Sequence, residues 1–339
     1  MMIILRPACL RDIRDIELLA KESGSLVYTL PDQRSNLIDK IERSMDSFCE
    51  DVMSPGEESY FFVLEESQTG QVIGTGAVNA LSGYRSPFYA FRNDVLIHSS
   101  RELHVHSRVH ALSLTHDLSD HSQLCTFYVV ESLRNTEYPA LVTLGRLLFM
   151  SVHHQRFSHE WMAVLPGVCD EKGYAPFWEH VGRKFIDVDY EKVEFINGTN
   201  NGTFIAELMP HYPLYVPLFK EEAQAVMGQV HSQAELQCSL LSNQGFEPDK
   251  YIEIFDGGPI LSARSNTLSI WNHHHQRRVE FTEQIMLENK KHLIGFDGKE
   301  GFHAFITMAE CRGDRLMIEK YRAEGTGLTD GQLVWYLVL

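Results

Sequence analysis

Residues 124–130, Leu-Cys-Thr-Phe-Tyr-Val-Val, form a nearly unbroken apolar run, and no other segment restricts the fold as much. A half-exposed strand alternates apolar and polar residues, whereas a strand covered on both faces reads as a continuous apolar stretch. The chain therefore needs a sheet with a layer on each side. The segment that follows carries Leu141, Leu144, Leu147, Leu148 and Met150 on the apolar side of a helix, which supplies one cover. Upstream, Ile3-Ile4-Leu5-Arg6 opens as a strand, and Ile13, Ile16, Leu19 and Ala20 continue at helical spacing. Leu37, Ile38, Ile41, Met45 and Phe48 repeat that spacing and predict a second helix. After Pro55-Gly56, the runs Tyr60-Phe61-Phe62-Val63-Leu64 and Gln71-Val72-Ile73-Gly74 flank the turn Ser67-Gln68-Thr69-Gly70, a hairpin by its turn chemistry.

The 339 residues suffice for two domains of ordinary size, and 44% hydrophobic with 22% charged residues is the balance of a globular chain. Forty-six acids against 30 Lys and Arg leave a net charge of −16. Such a surface repels phosphate backbones and anionic lipid, so nucleic-acid and membrane partners are not expected. It attracts a cationic substrate. The N-terminal stretch Met1–Pro7 lacks a basic region and a long apolar core, and no run reaches the length of a membrane span. Six cysteines stand singly, with no C-x-x-C pair, the pattern of reduced thiols in a cytoplasmic protein. The His153-His154 and His273-His274-His275 runs lack the i, i+4 spacing of a helical metal site, so no metal is expected. Cys125 falls within the apolar strand and reads as core rather than nucleophile. The glycines of Asp256-Gly257-Gly258-Pro259 read as a turn, and Gly74-Thr75-Gly76 opens no helix that would suit a dinucleotide.

The order strand, two helices, hairpin, buried strand, helix resembles that of the acetyltransferase-like (GNAT) fold. A weak internal repeat extends this. Residues 177–190 and 240–255 each read as a helix ending on a glycine, Gly182 or Gly245, before a strand that carries an aromatic. Acetyltransferase-like domains commonly close with such a unit. The expected fold class is α+β: two such modules in tandem, residues 1–150 and 151–339, each a mostly antiparallel mixed sheet flanked by helices.

Longer strings are similar to the arginine N-succinyltransferase family. They are Gly167-Val168-Cys169-Asp170-Glu171-Lys172-Gly173-Tyr174-Ala175-Pro176-Phe177-Trp178, Phe204-Ile205-Ala206-Glu207-Leu208-Met209-Pro210, Gly228-Gln229-Val230-His231, and Tyr251-Ile252-Glu253-Ile254-Phe255-Asp256-Gly257-Gly258-Pro259. The resemblance implies transfer of a succinyl group from succinyl-CoA, as co-substrate, to the α-amine of L-arginine in arginine catabolism. It also implies a homo-oligomer or a heteromer with a paralogue. The family's proton-transferring histidine falls on His231, and a position contacting succinyl-CoA falls on Phe127.

Amine acylation needs a proton carrier, donors for the thioester oxyanion, and a held pantetheine arm. An imidazole at a helix junction suits the first, and a loop at a helix N-terminus usually meets the last. That loop runs here from Arg134 to Arg146, both candidate phosphate partners, but Glu137 and Pro139 stand where the family has glycines. Val164 and Pro166 replace a charged pair, and Phe302-His303 replaces a more basic string. These departures leave open a diverged enzyme with another acyl donor or amine, or a non-catalytic binding or regulatory protein that keeps the fold. The discriminating element is the Arg134–Arg146 loop.

Overall fold

The computed structural model describes residues 2–170, 172–199, 202–283 and 290–339. Its strands are β1 (Ile3–Pro7), β2 (Ser59–Glu66), β3 (Val72–Asn79), β4 (Ala90–Ser100), β5 (Val105–Thr115), β6 (Ser122–Val129), β7 (Glu160–Val164) and β8 (Leu214–Tyr215). They continue as β9 (Glu247–Ile252), β10 (Pro259–Arg264), β11 (His275–Thr282), β12 (Lys290–Gly298), β13 (Gly301–Arg312), β14 (Arg315–Glu319) and β15 (Leu333–Val338). All join one sheet in the order β12-β15-β11-β14-β13-β1-β2-β3-β6-β7-β10-β9-β4-β5-β8, with β12 also pairing β13. Neighbours run antiparallel apart from the parallel pairs β6–β7 and β11–β14.

The expected N-terminal elements form where their periodicity places them. Helices α1 (Ile13–Ser23) and α2 (Arg34–Cys49) bury Ile13, Ile16, Leu19, Leu37 and Ile41 against one face of β2, β3 and β6. Helix α3 (Tyr138–Val152) covers the other face and is apolar nearly all round, with every residue from Leu141 to Ser151 buried. Each fully buried leucine there contributes about 1.5–3 kcal/mol of transfer free energy. Gly145 lets α3 lie close to β1, since a Cβ would sit 2.5 Å from a methyl of Leu5. The apolar run that begins at Leu124 within β6 is thus sandwiched, as its composition requires.

The tandem arrangement divided at residue 150 is not what forms. Residue 150 lies within α3, the crossover that carries the chain from β6 to its parallel neighbour β7. Strands from beyond it complete the same sheet, β10 beside β7 and β13 beside β1. One acetyltransferase-like order therefore spans β1 to β10, interrupted by the β4–β5 hairpin and by a mainly helical stretch at 167–230. The remainder is a small closed barrel, because β12–β13 pairing joins the ends of the series β12-β15-β11-β14-β13 around Val279, Ile294, Phe305, Leu316 and Val334. Closure leaves this barrel without an open edge of its own.

The repeat misled for a local reason. Gly245 takes φ +104 after the helix Glu235–Ser242 and leads into β9, as a left-handed cap should. Gly182 instead starts a 3-10 turn followed by the helix Tyr190–Thr199, with no strand between them. It is small because a Cβ would sit 2.1 Å from the ring of Trp178. Packing demands that glycine, not backbone handedness.

Candidate functional site

The site originates in a fault in the sheet. Register between β3 and β6 shifts between Thr75 and Ala77, and Thr126 adopts φ +56, a left-handed conformation that is costly for a β-branched residue. The loop after α1 holds it there. The Thr126 amide donates to Thr29 Oγ1 at 2.9 Å, and Thr75 Oγ1 donates to the Thr126 carbonyl at 2.9 Å. Beside the bulge, Arg146 reaches the carbonyls of Ala77 and Cys125, which the register sets opposite each other. Its guanidinium donates to Ala77 O at 3.1 Å, Cys125 O at 2.9 Å and Val142 O at 3.0 Å.

The sequence made Arg146 a candidate phosphate partner; its guanidinium is instead spent on these backbone carbonyls. It is fully buried, and desolvation pulls its pKa down to about 10. Its guanidinium carbon lies 5.7 Å from the ring centroid of Phe127, fixing that side chain beside the bulge. Cys125 is buried in the α1–α2 core cluster, consistent with its packing role.

Pairing of β6 with β7 ends at Leu124 opposite Ala163. Beyond it the parallel strands part, and a cleft of about 230 Å³ opens. Phe127, Tyr128 and Val129 form one wall, Pro166 the other, and Ser232 and Gln233 close the far side. Arg134 stands at the mouth. Its Nε donates to Val129 O at 3.2 Å, Nη1 reaches Gln233 Oε1 at 3.3 Å, and the guanidinium lies over Tyr128 at 5.5 Å. Phe127 and Arg134 thus come together on one cleft.

His231 sits at its edge. Its backbone amide donates to Pro166 O at 2.8 Å, which ties the strap 228–234 to the end of β7. The ring caps the turn Ser232–Ala234, with Nδ1 accepting from the Gln233 amide at 3.2 Å. An accepting Nδ1 places the proton of the neutral ring on Nε2. The neighbours Ser232 and Gln233 line the cleft wall itself; the imidazole is half-buried beside them.

The departures in the coenzyme loop fall differently from their sequence reading. Glu137 does not face the cleft: its carboxylate pairs with Lys291 of β12 and lines a separate recess with Tyr138 and Thr307. Pro139 does line the cleft, but it occupies the first turn of α3, where a missing N–H costs little. Phe302 is buried against α3, and His303 stacks on Phe296 at 5.4 Å, so this pair is core rather than ligand-facing. Val164 and Pro166, by contrast, do line the site.

Sequence reasoning missed the other half. Behind the cleft lies a smaller recess of about 40 Å³, which shares Phe127, Pro166 and Gln237 with it and ends on Glu194, Glu253 and Asp256. These three carboxylates are 3%, 7% and 3% exposed, and one oxygen of each lies within 4.8 Å of the others. The Asp256-Gly257-Gly258 turn brings Asp256 in. Asp256 Oδ2 accepts from the Gly167 amide at 2.6 Å and Oδ1 from the Gly258 amide at 2.7 Å, while Glu253 Oε2 accepts from the amides of Phe255 and Asp256. The glycines serve backbone geometry, as expected. Burial, then mutual repulsion, holds Glu194 and Glu253 well above the usual carboxylate range, and burial raises Asp256. Among the described residues, this is the group of acidic or sulfur and imidazole ligands close enough to hold a metal ion. Glu253 and Asp256 were visible in the string 251–259; nothing in the sequence joined them to Glu194.

The family described as arginine N-succinyltransferase beta subunit matches residues 3–270. The arginine N-succinyltransferase subunit alpha of Pseudomonas aeruginosa is 47% identical over 265 residues, 78% of this chain and of that protein. The arginine N-succinyltransferase of Yersinia pestis strain Pestoides F is 34% identical over 339 residues, 98% of this chain and 97% of that protein. The solved structure of arginine/ornithine succinyltransferase subunit AI from Pseudomonas aeruginosa gives a TM-score of 0.90 at 38% identity, covering 99% of this chain and 98% of that one. With the family match over residues 3–270 and relatives that cover nearly the whole chain, the chain belongs to the arginine N-succinyltransferase family.

Proposed function

We propose that this protein transfers the succinyl group of succinyl-CoA to the α-amine of L-arginine by direct attack within a ternary complex. The observation that carries the reading is the parting of β6 and β7 at the Thr126 bulge. It makes a cleft for a thioester arm that shares its inner wall with an acidic recess suited to a basic amine. In this reading succinyl-CoA lies along Phe127–Val129, with Arg134 at the mouth as a diphosphate partner.

The free amine attacks the thioester carbonyl, forming the C–N bond and a tetrahedral oxyanion that the strand amides beyond Leu124 can stabilise. Collapse re-forms the carbonyl, breaks the C–S bond and expels the CoA thiolate. The amine loses its proton and the thiolate gains one, so the step balances without a metal. His231 handles the proton through Nε2. To take the amine's proton on Nε2 the ring must carry its own proton on Nδ1 and release the Gln233 amide; Nε2 then returns the proton to the departing thiolate. Glu137, held by Lys291, leaves the coenzyme loop free of the repulsion its sequence position suggested.

The cysteines are all unpaired thiols, which agrees with a cytoplasmic setting. Among the described residues no helix is long and apolar enough to cross a membrane. The relative named as a subunit alpha supports assembly with further copies or a paralogue. Initial rates with both substrates varied test the mechanism. Direct transfer gives intersecting double-reciprocal lines, and parallel lines would require a covalent acyl-enzyme instead.

A further inference from the structure

We infer that Glu194, at the base of the recess behind the cleft, binds the guanidinium of the amine substrate and so selects a basic amino acid. This deepens the proposed acyl transfer and rests on it. Three observations support it.

The first is an unmet hydrogen-bonding demand. Glu194 is 3% exposed, and its Oε2 has no hydrogen-bond partner among the described residues, although it borders the recess. An unpaired buried carboxylate oxygen is expensive unless a donor arrives. The second is the commitment of its neighbours. Both oxygens of Asp256 and one of Glu253 already accept backbone amides. A divalent metal would want several free carboxylate oxygens, whereas a planar guanidinium can donate to Glu194 while the other two acids supply negative field. The recess, at about 40 Å³, exceeds the roughly 10–15 Å³ that one water needs.

The third is access. Glu194 also lines an outer hollow of about 340 Å³, with Glu191, Asp32, Tyr28 and Lys21 around it. A cation can approach from that side and place its chain through the recess toward Phe127 and Pro166. The thioester enters by the other opening, so neither substrate blocks the other. A bound cation also resolves the crowding of three acids that cannot all be charged when the recess is empty.

Calorimetric titration of native protein and Glu194→Gln with arginine, each with and without CoA, tests the inference. Steady-state kinetics and a parallel titration with magnesium, manganese and calcium complete it. The expected result is arginine affinity and KM worsened at least tenfold in the variant, with KM for succinyl-CoA unchanged. Native discrimination against norleucine, which lacks the cation, should shrink by a similar factor. Equal arginine binding by both proteins overturns the inference but leaves acyl transfer standing. A fall in kcat with unchanged KM makes Glu194 a proton acceptor and also overturns it, as does metal binding that Glu194→Gln abolishes. Failure of native protein to bind arginine in either state removes the proposed reaction as well.

Discussion

Replacing Glu194 by Gln should make the protein more stable, and the gain should depend on pH. The carboxylates of Glu194, Glu253 and Asp256 approach within 4.8 Å. Two unit charges at that separation repel by about 3.5 kcal/mol at an effective dielectric near 20, which bounds what removing one charge can return. Because burial and this repulsion raise the folded pKa of Glu194, the folded state binds more protons than the unfolded one. Its contribution is therefore fully present below the ordinary carboxylate range and is lost as pH rises through the folded value. Glutamine mimics the protonated acid at every pH. Near pH 4 the two proteins should melt together, and by pH 8 the variant should be more stable by about 1–3 kcal/mol, a few degrees in Tm. Scanning calorimetry from pH 4 to 8.5 without arginine measures this. A variant that melts lower than native at pH 8, or a difference independent of pH, would refute the electrostatic reasoning. Tyr28, Tyr190 and Cys169 face the same acids, but burial and the nearby carboxylates raise all three pKa values, so they stay neutral across this window.

His231→Ala should lower kcat by roughly 10²–10⁴ in a thiol-release assay. His231→Asn, which can keep the cap to Gln233, should show the same kinetic loss with a smaller drop in Tm. Glu137→Gly combined with Pro139→Gly should leave the Kd for CoA within about threefold while lowering stability by roughly 1 kcal/mol, because it removes a surface ion pair and a pre-set helix turn. Gly167→Ala would place a Cβ 2.7 Å from Asp256 O and Gly258 N, so denaturant unfolding should show a loss of about 1–3 kcal/mol.

Much of the first half of the fold was legible because its residues obey one periodicity each. Ile13, Ile16 and Leu19 bury one helical face, and residues 124–130 could only be an interior strand. The second half was misjudged where one residue type serves two physical ends. Gly182 clears the ring of Trp178, yet in sequence it reads like the cap that Gly245 truly is. The C-terminal strands carry no local sign that β12 will pair β13 and close a barrel, since closure is a long-range property. In the site, Phe127 and Arg134 line one cleft, and the His231 amide bonds to Pro166 on its other wall. Arg146 was misread because its partners are backbone carbonyls of Ala77 and Cys125, far from it in sequence and brought beside it only by the sheet. Glu137 was misread because Lys291 lies 154 residues away in sequence. Glu194 was overlooked for the same reason, its partners being 59 and 62 positions on.

Free thiol release from succinyl-CoA tests the central claim most directly, followed by mass analysis of the amine product. With native protein, release should require both succinyl-CoA and arginine, saturate in each, and yield one succinylated arginine per thiol. Release that is unchanged when arginine is omitted, or no release with arginine and succinyl-CoA both saturating, would contradict acyl transfer in the β6–β7 cleft.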